Sequence, residues 1–405
     1  MSFKHLFSAA ALTVGFALAT TSAWAQKKYD PGASDTEIKI GQTMPYSGPA
    51  SAYGTIGKAE AAYFKKINEE GGINGRKINF ISLDDGYAPP KTVEMVRRLV
   101  EQDEVLLLFG TLGTPSNTAI QKYMSAKKVP QLFVASGATK WNDPKNNPWT
   151  MGWQPNYQTE AVIYAKHILK NTPNAKIGVL YQNDDFGKDY LKGFKEGLGD
   201  KARQIVAEAS YEVTDPTVDS QIVQLQGSGA DVFFNISTPK FAAQAIRKAY
   251  DIGWKPVQYL TNVSLSVGAV LVPAGLEKSV GVVSSNYGKD NTDPQWDNDP
   301  GMNEWRAFMK KYYPEGDLKD NSNVYGYSVA RTLVQTLKQC GDNLTRENVM
   351  RQAANLKDFD TGVGLPGIRI NTSATDFAPI QAVQLMKFDG KTWVRFGEVM
   401  DSSSK

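Results

Sequence analysis

Few residues in this chain can begin a chemical reaction. It carries one cysteine, Cys340, and two histidines, of which only His167 lies beyond the first 25 residues. A lone histidine makes no histidine-based zinc cluster, and no G-x-S-x-G elbow stands beside it to complete a nucleophile–base pair. Cys340 closes an apolar helical run, Val329 to Leu337, where a thiol reads as buried and inert. A single cysteine also excludes an internal disulfide. Asp84-Asp85 could ligate a metal, but no third carboxylate stands at calcium-loop spacing, so a strand-end turn accounts for the pair. Gly362-Val363-Gly364-Leu365-Pro366-Gly367 has G-x-G-x-x-G spacing. A proline inside it and strand-like IRIN after it make it a turn rather than a dinucleotide loop. No cofactor is expected.

What remains is binding chemistry, and it centres on Val105 to Ala119, VLLLFGTLGTPSNTA. Val105 to Phe109 predicts a buried strand, and a glycine turn leads into a helix. Thr114 is placed as its N-cap and Pro115 as its first residue. A strand feeding a helix N-terminus leaves unpaired amides in one crevice, where the helix dipole favours a negative group. Gln131 to Ala135 predicts a second such strand, ending in Ser136-Gly137-Ala138-Thr139 and offering small residues and hydroxyls to the same crevice.

The elements that must position these ends follow from the alternation of the chain. Lys4 and His5, an apolar run from Leu6 to Ala19 and the small-x-small site Ala23-Trp24-Ala25 predict a signal peptide over residues 1–25. Without its Lys4 the formal net charge falls by one from +3, which gives no argument for nucleic acid or an anionic membrane as partner. No other apolar run is long enough to span a bilayer. Strands at Glu37 to Thr43 and Lys77 to Leu83 alternate with helices, and a second alternating series begins near Lys176. In that series Asn183 to Lys188 is read as a loop. Alternation of this length implies parallel sheets with helices on both faces, and two series imply two sheets. Asp389-Gly390 marks the turn of a late hairpin.

The order and spacing of KIGQTMPYSGPASAYG, INEEGGINGRKINF, LDD, FGTLGTPSN, ASGAT and NDDFGKDY resemble one family over nearly the whole chain beyond the leader. These segments look like the periplasmic ligand-binding proteins of the branched-chain amino acid (Leu/Ile/Val-binding, type I) family of ABC importers. The resemblance implies an α/β fold of two lobes, each a parallel sheet with helices on both faces, joined by three crossovers that act as a hinge. Residues 36–155 with 283–365 would form the first lobe, and 156–282 with 366–399 the second. It further implies a monomer in the periplasm that binds a small molecule between its lobes and delivers it to a membrane permease.

In that family a hydroxyl and backbone amides at two strand ends hold the ligand carboxylate. The matching residues are Thr114, Gly137 and Thr139. Tyr53 matches an aromatic wall, with Tyr46 and Trp153 as further candidates. Two family tyrosines fall at Phe186 and Ser237. The acid that pairs with a ligand ammonium falls at Asn262 or Val263. Neither is acidic, and a buried ammonium without a counter-charge costs several kcal/mol. The expected ligand is therefore a small organic carboxylate with an aromatic or hydrophobic body and no α-amine. A branched-chain amino acid, amide or urea on the same scaffold stays open, as does a secreted hydrolase.

Overall fold

The computed structural model describes residues 27–401; the predicted leader lies outside them. Among the described residues the two alternating series form two sheets. In the first, β2 (Glu37–Met44), β3 (Lys77–Asp84), β4 (Leu107–Phe109), β5 (Gln131–Val134) and β6 (Thr150–Gly152) lie in the order β3-β2-β4-β5-β6, all parallel. The central β4 is buried throughout, as a strand covered on both faces requires. A short β1 (Lys28–Tyr29) pairs with β12 (Asn343–Leu344) and ties the start of the described chain to this lobe.

The second sheet runs β8 (Ile205–Tyr211), β7 (Ile177–Gln182), β9 (Val232–Ile236), β10 (Val257–Leu260), β11 (Val283–Asn286), and then the hairpin β13 (Ala382–Phe388) and β14 (Trp393–Asp401). Its first five strands are parallel, and the hairpin adds antiparallel to β11. The hairpin turns at Gly390, whose φ of 103° suits glycine, with the Asp389 carboxylate accepting the Lys391 and Thr392 amides.

Two lobe boundaries differ from expectation. β11 belongs to the second sheet, so the chain returns to the first lobe after Asn286 rather than before Val283. All four β11 residues are buried, and β11 alone connects the hairpin to the parallel strands. Residues 366–380 also stay with the first lobe: Ile368, Ile370, Phe377 and Ile380 pack in its core, and the third crossing falls just before β13.

Three local expectations are corrected as well. The helix Asp185–Leu198 begins inside the segment read as a loop, because the Asp184 carboxylate accepts the amides of Phe186 and Gly187 and starts it. Gly113, at φ 100°, is the N-cap of the helix Thr114–Lys127, which makes Thr114 its first residue. IRIN forms no strand beyond a single antiparallel bridge between Ile370 and Phe359. Asp84 and Asp85 close a turn: Asp84 accepts the amides of Tyr46, Ser47 and Gly86, and Asp85 accepts the Tyr87 amide and the Thr92 hydroxyl. Burial of Asp84 is outweighed by hydrogen bonds from the Ser47 hydroxyl, the Gly86 and Ser47 amides and Lys91, which hold its carboxyl at about 2.

Candidate functional site

Parallel strands followed by helices put the carboxyl ends of strands and the N-termini of helices on one edge of each sheet. The two edges face each other across a cavity lined from both lobes. Among the described residues, six helices begin at it: Gly54–Glu69, Thr114–Lys127, Tyr157–Asn171, Asp185–Leu198, Pro239–Asp251 and Ser322–Cys340. Their partial positive ends make the space favourable to an anion. Six aromatic rings line it (Tyr53, Tyr87, Tyr157, Phe186, Tyr287 and Tyr325), and no described lining residue carries a formal charge.

Four hydrogen-bonding groups of the lining have no partner among the described residues, three of them able to donate and one, Asn321 Oδ1, an acceptor. Asn286 accepts the amides of Tyr287 (2.9 Å) and Gly288 (3.1 Å) on Oδ1, which fixes its amide so that Nδ2 is the spare donor. Asn262 Nδ2 and the Tyr325 hydroxyl are likewise buried and unpaired. Such groups are costly to leave unmet: the three donors call for a ligand acceptor, and Asn321 Oδ1 for a ligand donor.

The first-lobe strand ends differ. Thr114 Oγ1 lies 2.8 Å from Ser136 Oγ, which also accepts from the Trp141 indole. The Tyr157 ring covers Gly137, where an added Cβ would sit 2.7 Å from it. Burial raises the Tyr157 phenol to about 12, opposed by hydrogen bonding with the Gly137 amide and the Ser136 and Thr114 hydroxyls. Thr139 gives both its amide and its hydroxyl to Asp189, at 2.9 and 3.0 Å. Gly137 and Thr139 of the expected anion site are thus engaged within the protein, while Thr114 pairs with Ser136 and still lines the cavity.

Of the residues predicted from sequence, Tyr53, Thr114, Phe186, Asn262 and Val263 line the cavity, and so does Tyr157. The Tyr53 hydroxyl donates to the Val263 carbonyl at 3.1 Å and joins the two lobes across it. Gly137 and Thr139 do not line it, for the reasons above. Tyr46 is turned away, its phenol 2.6 Å from Ser82 Oγ and packed beneath Gly57. Ser237 is fully buried, its carbonyl accepting from Ser264, and its neighbour Thr238 lines the space instead. Trp153 lies behind the lining, with its indole donating to Thr332. The residues missed are Tyr87, Asn286, Tyr287, Asn321 and Tyr325. Four of them lie where only half of the Val105–Ala119 pattern is present, a strand end without a helix start in SSNYG and a helix start without a strand end in NSNVYG.

Beneath each sheet edge lies one fully buried glutamate. Glu160 accepts from the Tyr164, Tyr190 and Ser285 hydroxyls and from the Asn262 amide, at 2.5 to 3.1 Å. Burial still raises its pKa. Glu60 accepts only from Gln42, its Oε1 is unpaired, and burial raises it well above the carboxylate range. His167 stands apart from the cavity, its Nδ1 2.7 Å from the Tyr259 hydroxyl and its pKa lowered by burial. The Cys340 thiol is buried and pushed up to about 12 by that burial.

A family model described as periplasmic binding protein matches residues 37–392. Leu/Ile/Val-binding protein homolog 1 of Brucella abortus (strain 2308) is 23% identical over 346 residues, covering 85% of this chain and 86% of that protein. A solved branched chain amino acid ABC transporter protein from Thermus thermophilus, with bound valine, superposes with a TM-score of 0.81 at 16% identity, over 91% of this chain and 97% of that one. A solute binding protein of an ABC transporter from R. palustris, in complex with benzoate, gives 0.74 at 18% identity, over 91% and 98%.

Proposed function

Because the chain belongs to the periplasmic binding protein family, in its type I, branched-chain amino acid group, we propose that its inter-lobe cavity binds a small organic carboxylate with an aromatic or hydrophobic body and no α-amine. Membership implies a periplasmic location and an ABC permease as partner; we assign export to the leader at residues 1–25 and take the working form as a monomer. One observation carries the ligand class: among the described residues the cavity offers three unpaired donors and six helix N-termini against a single unpaired acceptor, Asn321 Oδ1, and no acidic side chain. A carboxylate can accept from Asn262, Asn286 and Tyr325 in that field. No described acidic side chain lines the cavity to pair with an ammonium, and the acids behind the lining, Glu160, Asp184 and Asp320, are engaged by the protein's own donors. The benzoate-bound relative supports an amine-free acid, and the valine-bound one keeps the amino acid reading as the competitor.

Ligand contacting both lobes would shift an open–closed equilibrium toward the closed form. Polar contacts suited to that form already span the cleft, among them Ser266 to Asp320 at 2.8 Å and Lys140 to Asp185 at 2.6 Å. A hydrolase reading has less support, because the lining supplies hydroxyls without a histidine, carboxylate or amine to activate one.

A thermal-shift screen of the ligand-stripped protein tests the proposal, pairing each aromatic or aliphatic carboxylate with its α-amino counterpart. A ligand at 100 times its Kd adds about 2.7 kcal/mol of stability. Amine-free acids should raise the melting temperature while leucine, valine and phenylalanine leave it unchanged. The reverse pattern overturns the assignment.

A further inference from the structure

Asn286, Tyr287, Asn321 and Tyr325 line the cleft cavity on one side and a second, smaller cavity on the other. We propose that this annex is the tail subsite of the same ligand site, receiving the apolar end of an extended monocarboxylate whose acid group stays in the cleft. The inference rests on the carboxylate reading above and narrows it to acids longer than a single ring or a branched side chain.

The lining argues for an apolar occupant. Trp153, Phe359, Val363, Ile368, Ile370 and Ile380 surround the annex, and they come from segments far apart in the chain. Protein interiors hold few voids larger than a water molecule, and an apolar one stays dry and takes apolar guests. The partition between the two spaces is made of side chains. Trp153 meets the edges of Tyr287 and Tyr325 at ring-centroid distances of 5.9 and 5.1 Å, and the Tyr325 hydroxyl has no partner holding it in place. Tyr287 and Tyr325 thus stand between the two cavities, and a tail entering the annex passes between their rings.

Two glycines leave the annex its room. Gly288 and Gly364 pair in an antiparallel bridge and both line it. Neither has the positive φ that demands glycine, and an added Cβ would meet nothing closer than 3.6 Å at Gly288 or 3.4 Å at Gly364. Backbone conformation therefore does not require glycine at either position, and a larger side chain would occupy the space.

Isothermal titration of the full mature protein with two homologous series tests this: unbranched acids from butanoate to dodecanoate, and phenyl-terminated acids from benzoate to 5-phenylpentanoate. Affinity should rise about fourfold per added methylene until the annex is full, then fall. Gly288→Leu and Gly364→Leu, each checked for a cooperative melt, should keep the affinity for the shortest acids and lose the dependence on length. Tight binding of short acids with no gain from length overturns the annex and leaves the carboxylate reading standing. A length dependence that persists in both folded variants also overturns it, because the tail then lies elsewhere. If no carboxylate of either series binds, both readings fall.

Discussion

The two polar walls of the cleft are built from similar residues and are spent differently. On the first-lobe strand ends, Thr114, Ser136, Gly137 and Thr139 satisfy one another, Tyr157 and Asp189. At the opposite wall and the hinge floor, Asn262, Asn286 and Tyr325 each keep a buried group with no partner. The difference teaches that a glycine- and hydroxyl-rich strand end is a capacity for binding, which the fold can use for its own closure. Ligand chemistry is left to the atoms that the protein does not satisfy. The two buried glutamates repeat the contrast, with four donors on Glu160 beneath Asn262 and one on Glu60 beneath the first lobe's edge.

The most severe way to break this comparison is Asn262→Asp. It sets a carboxylate beside the ligand acid and near Glu160, and like charges in a dry site cost several kcal/mol. Carboxylate affinity should fall by about 10²-fold or more in a calorimetric titration, with no such loss for neutral amides. Retained acid affinity would mean that Asn262 does not face the ligand.

A finer comparison sets Tyr325→Phe against Thr114→Ala. Removing the unpaired Tyr325 hydroxyl should weaken an acid by about tenfold, the value of one hydrogen bond to a charged group, without lowering the melting temperature of the free protein. Thr114→Ala should do the opposite, costing about 1 kcal/mol of stability and changing affinity about twofold or less, because its hydroxyl already serves Ser136. If the two variants weaken binding equally, the walls are not distinct.

The smallest effect concerns Glu60 and leaves binding alone. Its raised pKa means that the folded state holds the proton more tightly than the unfolded chain does. That contribution to stability is complete below the ordinary carboxylate range and is lost as pH rises through the raised value. Glu60→Gln should flatten the pH dependence of Tm relative to the parent protein, a difference of about 2–4 °C at the upper end. Parallel pH profiles would show that Glu60 does not titrate in this way.

Much of this was legible in the chain itself. Period-two and helical apolar patterns, with glycine and proline as punctuation, set the alternation of strand and helix, and hence two parallel sheets with ligand space at their carboxyl edges. Such patterns are local, so they hold before any packing is known. Asn262 and Val263 could likewise be seen as uncharged from sequence, and the cavity places both in its lining. The boundary at β11 could not be read, because Val283–Asn286 (VSSN) is short and carries no pattern that favours either lobe, and only its partners β10 and β13 choose the second.

Tertiary structure alone decided where each polar group is spent. Thr139 meets Asp189 across 50 positions, Tyr53 meets Val263 across 210, and Tyr46 turns to Ser82 rather than to the cleft. Asn286 and Tyr325, from separate segments, come to share one wall. A hydrogen bond is set by distances of a few ångströms between side chains that the sequence keeps far apart. Residue type can therefore show what a group is able to donate, and only the folded chain shows whether anything is left to accept it.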